Sequence, residues 1–418
     1  MKFALISNVL PPSETAHAMI IHRLLRDLDP GSYCLLSSKD YGAGGGPEYV
    51  GRLAAKYYHL PPPFRLTRGY RFGLEFVRER VNLALAVALR ARQIARVLRR
   101  EGCGAAVVCT GGNEVLDFPS GYLASLLTGA RFYAYLLDQY AHMVSYVMGG
   151  GLLRRFEAPI LKGAAAVIAP NEFLSDELRR RYRVEAVVIR NACDLSLYEA
   201  LPGGPAAAGA GGEVRIVYTG GVGPVHFDAF DNLLRAVASL GRPDVRLHVY
   251  TYTPQPGARM EAEGVGGAVV YHEHEPASAM PAIQRGADVL FLPLAFRSPY
   301  PDIVRTAAPG KMGEYLAARR PVLVHAPADS FIAWYFRRHG CGLVVDRDDP
   351  EELARALGAL LSDRTLRERL SERAWERARA DFALPKARAQ FAALLGLDRG
   401  PDARVAAVAG SLRPTTDE

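Results

Sequence analysis

The chain has 418 residues, 49% hydrophobic and 23% charged, with a formal net charge of +7. That balance is ordinary for a folded protein, and the length exceeds what one hydrophobic core usually serves, so two domains of about 200 residues each are expected. It excludes a disordered chain and, with no apolar run near the ~20 residues of a membrane span, a helical membrane protein.

The opening run Phe3–Ile6 is short and leads into Pro11-Pro12, so no secretory leader is expected. The five cysteines are an odd number and include no C-x-x-C pair, which reads as reduced core thiols of a cytoplasmic protein. Charge is uneven: residues 1–200 carry 25 Lys and Arg against 18 Asp and Glu, whereas the remainder carries 26 of each. The excess concentrates in the segment 65–100, where ten Arg face only Glu75 and Glu79. That segment is either a peripheral contact for an anionic partner, such as phospholipid headgroups at the inner membrane surface or an acidic acceptor, or a solvated helix face. It lacks the interleaved aromatics of a nucleic-acid surface, so no nucleic-acid partner is expected.

In chain order the pattern alternates short β-rich runs with amphipathic helix-length segments, which predicts parallel sheets covered by helices. Strands are predicted at Phe3–Ile6, Tyr33–Ser37, Ala105–Cys109, Phe132–Leu136, Ala165–Ala169 and Ala186–Ile189. Helices are predicted at Ile20–Leu28, Asn82–Arg100 and Glu172–Tyr182, with Gly42–Arg80 as an irregular insert. The Gly, Ala and Pro run within residues 201–212 reads as a linker. The alternation then restarts, with strands predicted at Val214–Tyr218, Arg246–Tyr250, Val269–Tyr271, Val289–Leu292, Pro321–Val324 and Leu343–Val345. Asp348-Asp349 marks the start of a helix over Pro350–Ser362, and charged helices follow at Leu366–Ala380 and Lys386–Leu395. The expected plan is α/β throughout: a doubly wound domain over residues 1–200, a second over 213–380, a returning helix over 381–395 and a tail over 396–418.

The strongest local signal for chemistry is Ser298–Val322, where a Pro-rich loop through Ala307-Ala308-Pro309-Gly310 enters a helix carrying Lys311 and Glu314 in its first turns. Free amides and a nearby ammonium suit a diphosphate, and an acidic residue one turn in suits ribose hydroxyls. The alternative is a polar first turn that is merely capped. Gly220 and Gly221 close the first strand of the second half, where glycine lets a phosphate approach the backbone or simply makes a tight turn. Ahead of these, Glu14, Thr15 and His17 follow the first strand and serve either acceptor contacts or helix capping. Asp138 and Asn113, with Glu114, follow other strands. Asp138 accepts a hydroxyl proton, orients a sugar or caps a helix. The alternation His272-Glu273-His274-Glu275 invites a metal test, but no third ligand is suggested by spacing, and His274 and Glu275 fit a nucleotide base better. No S-x-x-K, G-x-S-x-G or P-loop pattern is present, which removes the commonest hydrolase and kinase readings.

Taken together these segments resemble the retaining GT-B glycosyltransferases of the glycosyltransferase family 4-like, or group 1, type. The resemblance rests on Ala165–Leu178, Val188–Tyr198 with its matching acid Asp194, Ala287–Pro293, and Pro309-x-Lys311-x-x-Glu314-Tyr315-Leu316-Ala317 followed by Pro321-Val322. It implies two Rossmann-like doubly wound domains facing a central cleft. The implied reaction is transfer of a hexosyl-type sugar from a UDP- or GDP-linked donor to a small-molecule or lipid-linked acceptor, with no metal and no further cofactor. Thr306 stands where a glutamate is usual, and the diphosphate's customary Arg and Lys give way to Gly221 and the His226 region. Lys311, Arg297 or Arg305 are then expected to supply the charge. A silent sugar-nucleotide-binding subunit, or an epimerase or phosphorylase of the same fold, are the alternatives.

Overall fold

The computed structural model describes residues 1–13, 15–41, 51–63, 75–110, 115–137, 139–140, 150–201, 212–251, 268–272 and 275–397. The chain divides into two compact units, one of Met1–Arg190 with Pro385–Glu418 and the other of Asn191–Leu384. The expected linker lies within residues 202–211 and most of the tail within 398–418, outside the described residues.

The first unit is built on a seven-stranded parallel sheet in the order β3-β2-β1-β4-β5-β6-β7. Its strands are β1 (Phe3–Ile6), β2 (Tyr33–Ser37), β3 (Lys56–His59), β4 (Ala105–Thr110), β5 (Arg131–Leu136), β6 (Ala166–Ala169) and β7 (Ala186–Val188). β1, β2 and β4 are buried at every position, as continuous apolar runs require when helices cover both faces. Around them lie α1 (Ala16–Leu25), α2 (Glu75–Glu101), α3 (Asp117–Thr128), α4 (Gly150–Lys162) and α5 (Glu172–Tyr182). α5 shows why such segments are helical: Asn171 caps Leu174 N–H at 2.8 Å, Glu172 opens the first turn, and Arg179, Arg180 and Arg181 close the last, so both dipole ends are complemented.

The second unit repeats the plan with six parallel strands in the order β10-β9-β8-β11-β12-β13. These are β8 (Val214–Thr219), β9 (Val245–Tyr250), β10 (Val269–His272), β11 (Val289–Pro293), β12 (Val322–His325) and β13 (Leu343–Val345). The helices are α6 (Ser196–Glu199), α7 (Phe227–Ser239), α8 (Met280–Arg285), α9 (Pro301–Thr306), α10 (Lys311–Ala317), α11 (Phe331–His339), α12 (Pro350–Ser362) and α13 (Arg364–Asp381). Asp349 accepts from the amides of Glu351 and Glu352 with Pro350 at the first helical position, so α12 begins where the sequence signals. α14 (Leu384–Leu395) follows, and from Pro385 onward it belongs to the first unit. There Phe391 packs edge-on to Phe3 at 6.0 Å, and Arg388 donates to the carbonyl of Arg23.

Both units are doubly wound α/β sheets of the GT-B type, with the order of strand addition reversing between β1 and β4 in one sheet and between β8 and β11 in the other. Ligands of open parallel sheets bind beyond the carboxyl ends of strands at such reversals. Within the second unit that places the ends of β8 and β11 at the centre of attention.

Three sequence expectations change. The supposed irregular insert contains β3, and α2 starts at Glu75, seven residues earlier than Asn82. α3 and α4 were not expected at all; each carries residues that argue against a helix, Pro119 and Gly121 in one and Pro159 in the other. Arg90 is no part of an exposed basic face. It is 1% exposed and pairs with Asp117 across α2 and α3 at 3.3 Å, while Arg92, Arg96, Arg99 and Arg100 remain exposed. Arg65, Arg68 and Arg71 lie outside the described residues. No helix among the described residues is long and apolar enough to cross a membrane.

Gly121 explains how α3 reaches the sheet. A Cβ there would stand 2.4 Å from Val108 Cγ2 on β4. Gly121→Ala is expected to lower unfolding stability by about 1–3 kcal/mol through overpacking, read as a lower urea midpoint at unchanged slope.

Candidate functional site

β8 ends in Thr219, and the chain turns through Gly220-Gly221-Val222-Gly223. Gly220 has φ +115°, where side chains are disfavoured, and its N–H donates to Tyr250 O at 2.8 Å. A Cβ on Gly220 would lie 2.9 Å from Lys311 Nζ, so the glycine also makes room for that ammonium. Lys311 Nζ sits 3.7 Å from the centroid of the Tyr218 ring, in cation–π contact. The Tyr218 hydroxyl donates to Gly221 O at 2.5 Å.

Lys311 is part-buried, and the partial loss of water around its ammonium lowers its pKa from 10.5 to about 7, against the opposing pull of Glu314. His226 is driven down to about 3, first by burial and then by the charge of Lys311. It is therefore a neutral ring at ordinary pH, with Nδ1 accepting from Gly223 N–H at 3.3 Å.

Lys311 opens α10, which has only seven residues. Its dipole is correspondingly small, and Met312 N–H is already given to Pro309 O at 2.9 Å. In the loop before it Ala307 N–H is given to Val304 O at 3.5 Å and Pro309 has no N–H, so the charge in this corner is that of Lys311 more than of the loop or the helix as a whole. Asn191 ties that loop down by donating from Nδ2 to Ala308 O at 2.8 Å. Asn191 is a residue that motif reading did not single out, and its Oδ1 is buried without a hydrogen-bond partner.

Beneath Lys311 lies a buried polar cluster. Glu314, 5% exposed, accepts from Gln284 Nε2 at 3.0 Å, and the same amide reaches Thr219 Oγ1 at 3.2 Å. Tyr198 OH completes Gln284 at 2.6 Å from its Oε1. Thr219 N–H donates to Tyr315 OH at 2.8 Å, which fixes the last residue of β8 against α10. Burial raises the pKa of Tyr315, so that hydroxyl stays protonated.

The other expected residues fall as follows. Arg297 is held by its N–H to Asp228 Oδ2 at 2.6 Å, and its Nε lies 3.2 Å from Asp348 Oδ2. Its charge thus already faces two carboxylates. Arg305 is part-buried on α9, and the Thr306 hydroxyl donates to its own helix at Asp302 O, 2.9 Å away. Glu275 is exposed. Asp194 accepts from the N–H and hydroxyl of Ser196, at 3.3 and 2.7 Å, at the start of α6. His272 stacks on Tyr250 at 4.0 Å and lies 2.9 Å from His248 Nδ1. Among the described residues no group of three or more His, Cys, Asp or Glu forms a metal-ligand cluster. In the first unit Thr15 caps α1 by accepting from Ala18 N–H at 3.3 Å, and His17 is part-buried in the first turn. Glu14, Asn113, Glu114, Asp138, Glu273 and His274 lie outside the described residues.

A glycine turn, a lysine against an aromatic ring and a buried glutamate stand together at the strand-order reversal of a parallel sheet, on a chain of two doubly wound units, which is the GT-B plan. Residues 213–363 match the family described as glycosyl transferases group 1. No curated protein matches the chain by sequence. Among solved structures, sucrose-phosphate synthase from Thermosynechococcus elongatus is 18% identical with a TM-score of 0.65, over 95% of this chain and 98% of that one. The Anabaena protein HepE in complex with UDP-glucose is 14% identical with a TM-score of 0.65, over 95% of this chain and 100% of that one. An α,α-trehalose-phosphate synthase (UDP-forming) from Burkholderia vietnamiensis is 16% identical with a TM-score of 0.62, over 99% and 98%. At such identities these neighbours establish the fold.

The caged ammonium is testable without any ligand. Carbon-13 NMR of the labelled lysine side chains should show one ammonium, absent in Lys311→Met, titrating near pH 7. Because the folded pKa lies below the unfolded value of 10.5, the unfolded chain holds more protons from about pH 7 to 10.5. Lys311 therefore makes wild-type stability rise with pH across that window relative to Lys311→Met. Parallel stability curves for the two proteins would contradict the cage.

Proposed function

We propose that the chain transfers a sugar from a nucleoside-diphosphate sugar, UDP- or GDP-linked, to a small-molecule or glycan acceptor, retaining the anomeric configuration and using no metal. The observation that carries this reading is Lys311, caged against Tyr218 and Gly220 one helical turn from the buried Glu314. The complex of HepE with UDP-glucose and the UDP-forming synthase among the structural neighbours support a nucleotide-sugar donor.

In this reading Lys311 and the amides of Ala308 and Gly310 take the diphosphate, with Ala307 N–H given to its own helix; Gly220 and Gly221 let it approach the backbone, and Glu314 accepts from the ribose hydroxyls. Glu275 and His274 are assigned to the base. The bond between the anomeric carbon and the diphosphate oxygen breaks, and a bond to the acceptor's hydroxyl oxygen forms on the same face. The acceptor's proton goes to the departing diphosphate, whose developing negative charge Lys311 stabilises. On the acceptor side, Glu14, Thr15, His17, Asn113 and Asp138 are assigned to the first unit. The exposed Arg92, Arg96, Arg99 and Arg100 there suit an anionic acceptor or phospholipid headgroups.

A second reading, a sugar-nucleotide-binding subunit without turnover, draws on Thr306. Its hydroxyl is committed to Asp302 O and, at 5% exposure, it offers little to a donor sugar. The two readings part on turnover of a labelled donor with and without acceptors.

A thermal-shift screen of UDP, GDP, ADP and dTDP should find one nucleotide that raises the melting temperature, and Glu314→Ala should remove that response. An unchanged response in Glu314→Ala would count against this site. Affinity also carries a sign in pH. The free lysine loses its proton near pH 7, so binding above that pH takes one up, and the dissociation constant should rise by up to about tenfold per pH unit there. Calorimetry in buffers of different ionisation enthalpy should show proton uptake in wild type and none in Lys311→Arg.

A further inference from the structure

We infer that Gln284 is a positioning residue for the donor's ribose, acting through Glu314, and that Tyr198 fixes the orientation in which it does so. The inference rests on the assignment of Glu314 to the ribose hydroxyls.

Gln284 is on α8 and is fully buried. Both ends of its side-chain amide are committed, Nε2 to Glu314 Oε2 at 3.0 Å and to Thr219 Oγ1 at 3.2 Å, and Oε1 to Tyr198 OH at 2.6 Å. Which way the amide points follows from chemistry. A carboxylate only accepts, so the NH2 group must face Glu314, and a flipped amide would set two acceptors against each other. With Oε1 thus turned to Tyr198, the phenol must donate. Tyr198 is held in turn, since its backbone carbonyl accepts from Arg285 Nη2 at 2.9 Å, and Arg320 Nε donates to the Arg285 carbonyl at 2.6 Å. The cluster therefore runs from Tyr198 on α6 through α8 to the carboxylate on α10.

Its effect is on geometry. A carboxylate at 5% exposure needs hydrogen-bond donors for its oxygens and a fixed rotamer to meet two hydroxyls at once. Gln284 contributes to both, and because the same NH2 group bridges to Thr219 it registers the carboxylate against the end of β8. An apolar residue of similar shape at 284 would leave the packing and remove the orientation.

The test uses the full chain and UDP, GDP or ADP, whichever stabilises wild type most, alongside the 2′,3′-dideoxy form of the same nucleotide. By calorimetry, Gln284→Met should weaken the ribonucleotide about tenfold, the scale of a lost hydrogen bond to a charged group. The dideoxy form should bind wild type and variant alike, since the hydroxyls through which Gln284 acts are gone. Tyr198→Phe, which removes one hydroxyl and keeps the ring, should weaken the ribonucleotide about threefold with the same dependence on its hydroxyls, and it serves as the test if Gln284→Met does not fold. Wild-type affinity in these variants, or an equal loss for both forms of the nucleotide, overturns the inference. A wild-type protein that responds to none of the nucleotides overturns the donor-site reading and this inference with it.

Discussion

One ammonium group sets the terms for the second unit. Lys311 is packed against the Tyr218 ring on one side and the backbone of Gly220 on the other, and losing water brings its pKa down to about 7. A cation kept short of solvation binds a phosphate more strongly than one spread in water, because the anion replaces what burial removed. The neighbours follow from that constraint. Residue 220 must lack a Cβ, residue 218 must offer an aromatic face, and His226 must stay neutral beside the charge.

A layer of buried polar groups under the lysine keeps the arrangement rigid. Glu314, Gln284, Thr219, Tyr315 and Tyr198 come from α10, α8, β8 and α6, and their hydrogen bonds connect these four elements. Such a cluster costs desolvation and returns definition, since its members donate to and accept from one another in one arrangement. Asn191 extends the same logic to the Ala307–Gly310 loop through the Ala308 carbonyl. Arg297 works differently. It is spent on Asp228 and Asp348, and Asp228 also accepts from Phe296 N–H at 3.0 Å, so this pairing holds the loop after β11 in shape.

The sequence was most readable where structure is local. Apolar runs such as Val289–Leu292 are strands because burial on both faces demands continuous hydrophobicity, and α12 starts at its Asp-Pro signal. It was least readable at α3, whose Pro119 and Gly121 lower intrinsic helix propensity. The helix forms because packing against β4 outweighs that deficit, and the glycine is what permits the packing. Arg90 was misplaced for a related reason. Periodicity assigns a face to an arginine, but only the neighbouring helix reveals that the face is covered and that Asp117 waits there.

The amino-acid sequence alone determined the order and kind of most elements, the doubling of the α/β plan, and the segment bearing Lys311 and Glu314, because these depend on neighbours within a few turns of chain. Tertiary structure alone decided what those two residues touch. Tyr218 and Gly220 lie more than ninety positions before Lys311, Asn191 lies 117 before Ala308, and Gln284 lies 30 before Glu314 and 86 after Tyr198. Contacts at such separations leave no periodic trace in a sequence. They are set by which strands lie side by side and how closely helices settle upon them, which is a property of the packed sheet and not of any one segment.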